Sequence, residues 1–170
     1  MKVDVAREVY AKIAAEWQIG VQEYERRTGT TFPCGPGCAD CCKAADTTRT
    51  FVEMPLSEPE AALLWETLVA LPPSVKELLI QRERSYYTTT CILLSDEGLC
   101  LAYEGRSLWC RIWGLSGLST CGKVKTVSIV RWAEAVREAH AKLRGDEEFV
   151  PLREVVKRLE KEIANADNRD

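Results

Sequence analysis

Cysteine carries the chemistry of this chain: Cys34, Cys38, Cys41 and Cys42 fall within nine residues, in the run Cys-Gly-Pro-Gly-Cys-Ala-Asp-Cys-Cys. A thiolate is a soft, strong ligand for Zn²⁺ and for the iron of iron–sulfur clusters, and thiolates a few residues apart converge on one metal with little loop entropy lost. Four more, Cys91, Cys100, Cys110 and Cys121, follow with eight, nine and ten residues between them. Four plus four suits two tetrathiolate centres. Adjacent side chains such as Cys41 and Cys42 diverge, however, so a mixed assignment, in which downstream cysteines complete a site begun by the knot, is equally open. A metal held that way staples segment 34–42 to segment 91–121. Folding then depends on metal, because a structural Zn²⁺ site contributes apparently ~10–16 kcal/mol, comparable to the stability of a whole domain.

The elements that must position these thiols are mostly helical. Val5, Val9, Ile13, Trp17, Val21 and Tyr24 recur at helical spacing over residues 4–28, with Gly29 as terminator. The knot follows on a loop of Pro33, Gly35, Pro36 and Gly37. Thr47–Val52 is β-prone, and Ser57 with Glu60 forms a capping box that opens a helix to about Leu71. After Pro72-Pro73, Ser74 and Glu77 repeat the signature for a helix to about Ser85, and the two helices are expected to form a hairpin. Tyr86–Leu94 and Leu99–Tyr103 flank a Ser95-Asp96-Glu97-Gly98 turn, a β-hairpin that carries Cys91 and Cys100. Beyond a loop at 114–122, Ile129, Ala133, Val136, His140 and Leu143 mark another helical face. Pro151 opens a last helix with Leu152, Val155, Val156, Leu159 and Ile163 on one side, fraying over Asn165–Asp170. The expected fold is mainly α: one small helical domain over residues 1–170 with a short β-hairpin and cysteine-rich metal-binding loops.

Composition narrows the setting. A 170-residue chain, 46% apolar and 29% charged, buries enough surface to fold without cross-links. The apolar stretch from Ala11 to Gly20 is broken by Lys12, Glu16 and Gln18, which argues against a signal-peptide core and a membrane span and gives a cytoplasmic expectation. In that reducing compartment eight cysteines read as ligands or redox groups rather than as a disulfide framework. A net charge of −3 gives no overall attraction to nucleic acid or anionic membrane, so neither is an expected partner, and a redox or protein partner is.

The pattern Cys34-x3-Cys38-x2-Cys41-Cys42, then Cys91-Ile-Leu-Leu-x5-Cys100-x-Ala-Tyr103-x2-Arg106-x3-Cys110-Arg111, resembles the YkgJ-type cysteine-cluster proteins, the CxxCxxCC family of zinc- or iron-chelating domains. The resemblance covers about residues 30–115, with helices over 124–166 beyond it. Met54-Pro55-Leu56-Ser57 with Glu60 looks like the family's linker between its two cysteine groups. Two departures stand out: x3 between the first two cysteines in place of x2, and Arg106-Ser107 where relatives often have Arg-Pro, which removes a rigid turn. A flagellin lysine N-methylase is similar in the same region, so the resemblance leaves a protein methylase-like role open. The sequence itself has neither a dinucleotide-binding glycine motif after a strand nor a P-loop.

The metal ligands expected are therefore Cys34, Cys38, Cys41, Cys42, Cys91, Cys100, Cys110 and Cys121. Trp109 and Trp113 flank Cys110 beside Leu108, Ile112 and Leu115, an apolar shell that suits an iron–sulfur cluster of the four-iron type; zinc in a stabilised interaction module is the alternative. Arg111 and Arg106 either offset thiolate charge or are surface charges. His140, the only histidine, reads as a packed, hydrogen-bonded side chain rather than a ligand. Tyr86, Tyr87 and Thr88–Thr90 are explained by β propensity, and the charged stripes of the first and last helices by solvation.

Overall fold

A computed structural model describes residues 2–33, 40–43, 54–85, 90–112, 129–144 and 149–167. Helix α1 spans Lys2–Thr28 and buries Ala6, Val9, Tyr10, Ile13, Gly20 and Tyr24. It stops where Gly29 adopts φ 65°, a left-handed conformation that a Cβ disfavours, with its amide donating 2.9 Å to the Glu25 carbonyl. The chain then doubles back: the Phe32 amide donates to Glu25 Oε1 at 3.0 Å, and the Phe32 ring meets Trp17 and Tyr24 edge-on at 5.3 and 5.1 Å. Phe32 thus fixes the chain against α1 just before Pro33.

The short α2 (Asp40–Lys43) precedes β1 (Pro55–Leu56) and α3 (Glu58–Val69). Glu60 Oε2 accepts from both the Ser57 amide and its hydroxyl at 2.8 Å, the carboxylate half of the expected capping box. Helix α4 (Pro73–Arg84) starts two residues earlier than Ser74 as N-cap would set it: Pro73 takes the first helical position, where a missing N–H costs nothing, and the Val75 and Lys76 amides donate to the Pro72 carbonyl. Ser74 is exposed within that first turn. Helices α5 (Leu108–Ile112) and α6 (Val130–Arg144) follow, then β2 (Val150–Pro151) and α7 (Leu152–Asp167).

Two apolar clusters share α3 as their wall. Leu63 joins α1, α5 and α6 in the first, through Val9, Tyr10, Ile13, Leu108, Ile112, Trp132, Ala139 and Leu143. Leu64 and Leu68 join β1, α4, the 91–94 turn and α7 in the second. Helices α3 and α4 both lie against α7, and Leu64 and Leu68 of α3 share the second cluster with Leu79 of α4. The core face of α6 is Trp132, Ala135, Ala139 and Leu143; Ala133 is exposed and Val136 and His140 half-buried, because the bulky indole rotates the buried stripe by one position. In α7, Leu152, Val155, Val156 and Leu159 are buried as their spacing requires; the helix includes Asn165 to Asp167, and residues 168–170 lie outside the described residues.

Charges on α1 are not simply solvated. Glu8 pairs with Lys142, Lys12 with Glu138 and Glu16 with Arg131. Numbers rise along α1 as they fall along α6, so these pairs mark an antiparallel register, although exposed pairs add little stability.

The β element is small. Pro55–Leu56 pairs antiparallel with Val150–Pro151, and the expected hairpin is reduced to one bridge between Leu94 and Cys100 with bonds from Ser95 N to Leu99 O and Leu101 N to Leu93 O, both 2.7 Å. Gly98 at φ 80° closes its turn. Thr47–Val52 and Tyr86–Thr89 lie outside the described residues.

Past the hairpin the backbone presses onto α3 at Gly105. A Cβ there would lie 2.8 Å from Leu64 Cα and 2.7 Å from Thr67 Oγ1, and a backbone atom cannot yield as a side-chain tip can. Gly105→Ala is therefore expected to cost about 1–3 kcal/mol in urea unfolding, the usual range for overpacking. An unchanged midpoint would contradict this contact.

Candidate metal centre

Four cysteine side chains are described, Cys42, Cys91, Cys100 and Cys110, and all are thiols. Cys34, Cys38 and Cys121 lie outside the described residues, as does Trp113; Cys41 is placed as backbone within α2. The Cys91 amide donates 2.9 Å to the Cys42 carbonyl, a backbone bond that joins the knot to the downstream group. Cys91 is 7% exposed among Ile92, Leu93 and Leu94, and half-buried Cys42, Cys100 and Met54 pack on the same cluster. The structure thus brings thiols from both halves of the sequence pattern to one edge of the second core.

Each of these thiols is held by a different device. The turn bearing Cys91 is clamped by Arg82 of α4, whose guanidinium donates to the carbonyls of Ile92 and Leu94 and, at 3.1 Å, to Asp96 Oδ1. Carbonyls gathered this way match a planar donor fork. In the sequence Arg82 is one more position of the helix expected to reach Ser85, and nothing in its spacing reports carbonyls ten and twelve residues away. Cys100 faces Leu94 across the hairpin bridge.

Cys110 sits on α5, and Glu60 fixes the start of that helix. The Glu60 carboxylate, 6% exposed, accepts at Oε1 from the Leu108 amide at 2.6 Å and from the Tyr10 hydroxyl at 2.9 Å, in addition to Ser57 at Oε2. A buried carboxylate with all these donors is satisfied rather than stranded. Burial and the neighbouring carboxylate push the Tyr10 hydroxyl pKa well up, so it stays protonated and donating. The capping box revealed Glu60 as a local helix signal only. Its second role, tying α1, α3 and α5 together, depends on partners 50 and 48 residues away.

Arg111 also proves structural. Its guanidinium lies 4.0 Å from the Tyr10 ring centroid, and it donates to the carbonyls of Arg106, at 3.1 Å, and Glu104, tying the loop before α5 to α1. Arg106 stacks on Tyr103, 3.9 Å from the ring centroid, and donates to its hydroxyl at 3.0 Å.

The aromatic shell expected around Cys110 is not formed by Trp109. That indole is 37% exposed and meets the His140 ring edge-on at 5.2 Å, because a five-residue helix that buries Leu108 and Ile112 turns position 109 outward. Burial lowers the His140 pKa below 6.5, opposed by Glu60, which favours a neutral ring packed on the indole. The neighbours of Cys110 are instead Ser107 Oγ at 3.4 Å and Met54 Sδ at 3.9 Å.

Sulfur donors on two short helices and a hairpin, three of them packed on one apolar cluster, fit a thiophilic metal. Among the described residues no three His, Cys, Asp or Glu side chains are placed to hold one ion. Among them, too, no helix is long and apolar enough to cross a membrane.

Residues 33–127 match the sequence model of the CxxCxxCC family, whose description is "Putative zinc- or iron-chelating domain". The match contains all eight cysteines, including Cys121, and every described thiol-bearing element, while α1, α6 and α7 flank it. No curated protein and no solved structure gives a significant match. The chain belongs to the CxxCxxCC family, and this supports a metal-binding role for its cysteine cluster.

Proposed function

We propose that the knot and the downstream cysteines share one or two metal centres, that the group bound is an iron–sulfur cluster, and that the protein serves in electron transfer or redox sensing. The observation that carries this reading is the bond from the Cys91 amide to the Cys42 carbonyl, because it sets the two halves of the ligand pattern side by side. Cys42, Cys91, Cys100 and Cys110 supply thiolates from the described edge, and Cys34, Cys38, Cys41 and Cys121 complete the set. A cluster bound there supplies one-electron chemistry; zinc in its place supplies a cross-link alone. The chain's own residues orient and shield the ligands. Arg82 fixes the Cys91 turn, the Ile92–Leu94 side chains exclude water from Cys91, and Glu60 holds the helix of Cys110.

Anaerobic purification with visible absorption and analysis for iron, acid-labile sulfide and zinc tests the reading. A brown protein with iron and sulfide is the expected result; a colourless one that keeps zinc after reconstitution overturns the iron assignment. Cys42→Ser and Cys121→Ser are each expected to lower metal stoichiometry. A variant that retains the full complement removes its cysteine from the ligand set.

A further inference from the structure

We propose that Ser107 is a positioning residue for the metal site, its hydroxyl proton directed to the Cys110 sulfur once that sulfur is a metal-bound thiolate. The inference rests on Cys110 being a ligand, as proposed above.

Ser107 is 2% exposed, so water does not compete for its side chain. Its carbonyl accepts from the Arg111 amide at 3.2 Å, and its hydroxyl oxygen accepts from the Cys110 amide at 3.4 Å, which fixes it as the cap of α5. One proton remains, and two sulfurs lie within reach: Met54 Sδ at 3.2 Å and Cys110 Sγ at 3.4 Å. A thioether is a weak acceptor. A metal-bound thiolate carries negative charge and accepts more strongly, so it draws the proton away from Met54. Hydrogen bonds of this kind to ligand sulfurs strengthen metal binding and tune the centre. Met54, packed on the second core and bonded through its carbonyl to the Leu152 amide at 2.9 Å, is then the fixed competitor for that proton.

The two sulfurs predict opposite signs. In the full chain, zinc retention against a chromogenic chelator under anaerobic reducing conditions is expected to fall about tenfold in Ser107→Ala, the scale typical of an outer partner of a ligand. Ser107→Gly is expected to fall equally, although glycine caps a helix almost as well as serine, and Ser107→Thr is expected to restore wild-type retention. Met54→Leu conserves volume and removes the competitor, so retention should rise, and this gain should vanish in the Ser107→Ala background. With Co²⁺ as probe, the sulfur-to-metal charge-transfer band is expected to move to lower energy in Ser107→Ala and to return in Ser107→Thr.

Wild-type retention and an unshifted band in Ser107→Ala overturn the inference, and weaker retention in Met54→Leu overturns the competition between the sulfurs. If the wild-type chain takes up neither zinc nor cobalt, or Cys110→Ser binds as the wild type does, the proposed ligand set itself fails. If Cys110→Ser loses metal while Ser107→Ala matches wild type, only the role of Ser107 fails.

Discussion

Glu60→Ala is expected to destabilise the protein by about 3–5 kcal/mol, among the largest effects a single substitution can have. The carboxylate accepts from the Ser57 and Leu108 amides and from the Tyr10 hydroxyl inside the molecule. Alanine leaves those donors buried without an acceptor, at about 1–3 kcal/mol each, and adds a cavity between α1, α3 and α5. Glu60→Gln keeps one acceptor oxygen and is expected to lose markedly less. Urea unfolding followed by circular dichroism measures both. The loss has a second reading at the metal site: with the Leu108 amide released, α5 is no longer anchored, and Cys110 should hold metal less tightly in Glu60→Ala than in Glu60→Gln. Equal stability of Glu60→Ala and wild type would show that the hub is not what binds these three helices.

Metal removal is expected to act on a different part of the molecule. Stripping the metal under anaerobic conditions should lower stability by at least about 5 kcal/mol, or about 10–20 °C in melting temperature for a chain of this size. The loss should be local in hydrogen exchange. Amides of residues 40–43 and 90–105 lose protection, because the Cys91 amide to Cys42 carbonyl bond joins the two segments and the hairpin within the second is held by a ladder of two backbone bonds. Amides of α1 and α6 keep theirs, because Val9, Ile13, Trp132 and Leu143 form an apolar cluster without a cysteine. Unchanged melting and unchanged exchange would mean that the cysteines do not staple these segments.

The outcome shows which physical signals local sequence carries. Helix α7 was readable almost residue by residue, since its apolar spacing is regular and Pro151 stands at its entrance. The expected face of α6 is buried at its ends, Ile129 and Leu143, but in its middle Trp132, Ala135 and Ala139 take the core in place of Ala133, Val136 and His140; both sets have helical spacing, and Trp132 packs against Trp17 at 5.6 Å. The hairpin turn was visible in Ser95–Gly98, but not the shortness of its ladder. At the candidate site the cysteine spacing announced the chemistry. The supports of those cysteines, Arg82, Glu60 and Ser107, remained hidden because each acts on backbone or sulfur that the fold, not the sequence, brings near.

The pairing of Pro55–Leu56 with Val150–Pro151, together with the Leu152 amide on the Met54 carbonyl, has a consequence in time. Met54 and Leu152 are separated by 98 positions, and at a synthesis rate of about 5–20 residues per second the ribosome needs about 5–20 s to make the second after the first. In the last part of that interval, once Cys121 has been added, all eight cysteines have been made while the β1 partner and α7 have not. A nascent chain loaded with metal early must accept α7 onto an edge already cross-linked, whereas one loaded late must keep eight thiols reduced until the edge closes. The order of metal delivery and release from the ribosome is thus a choice this topology imposes on the cell.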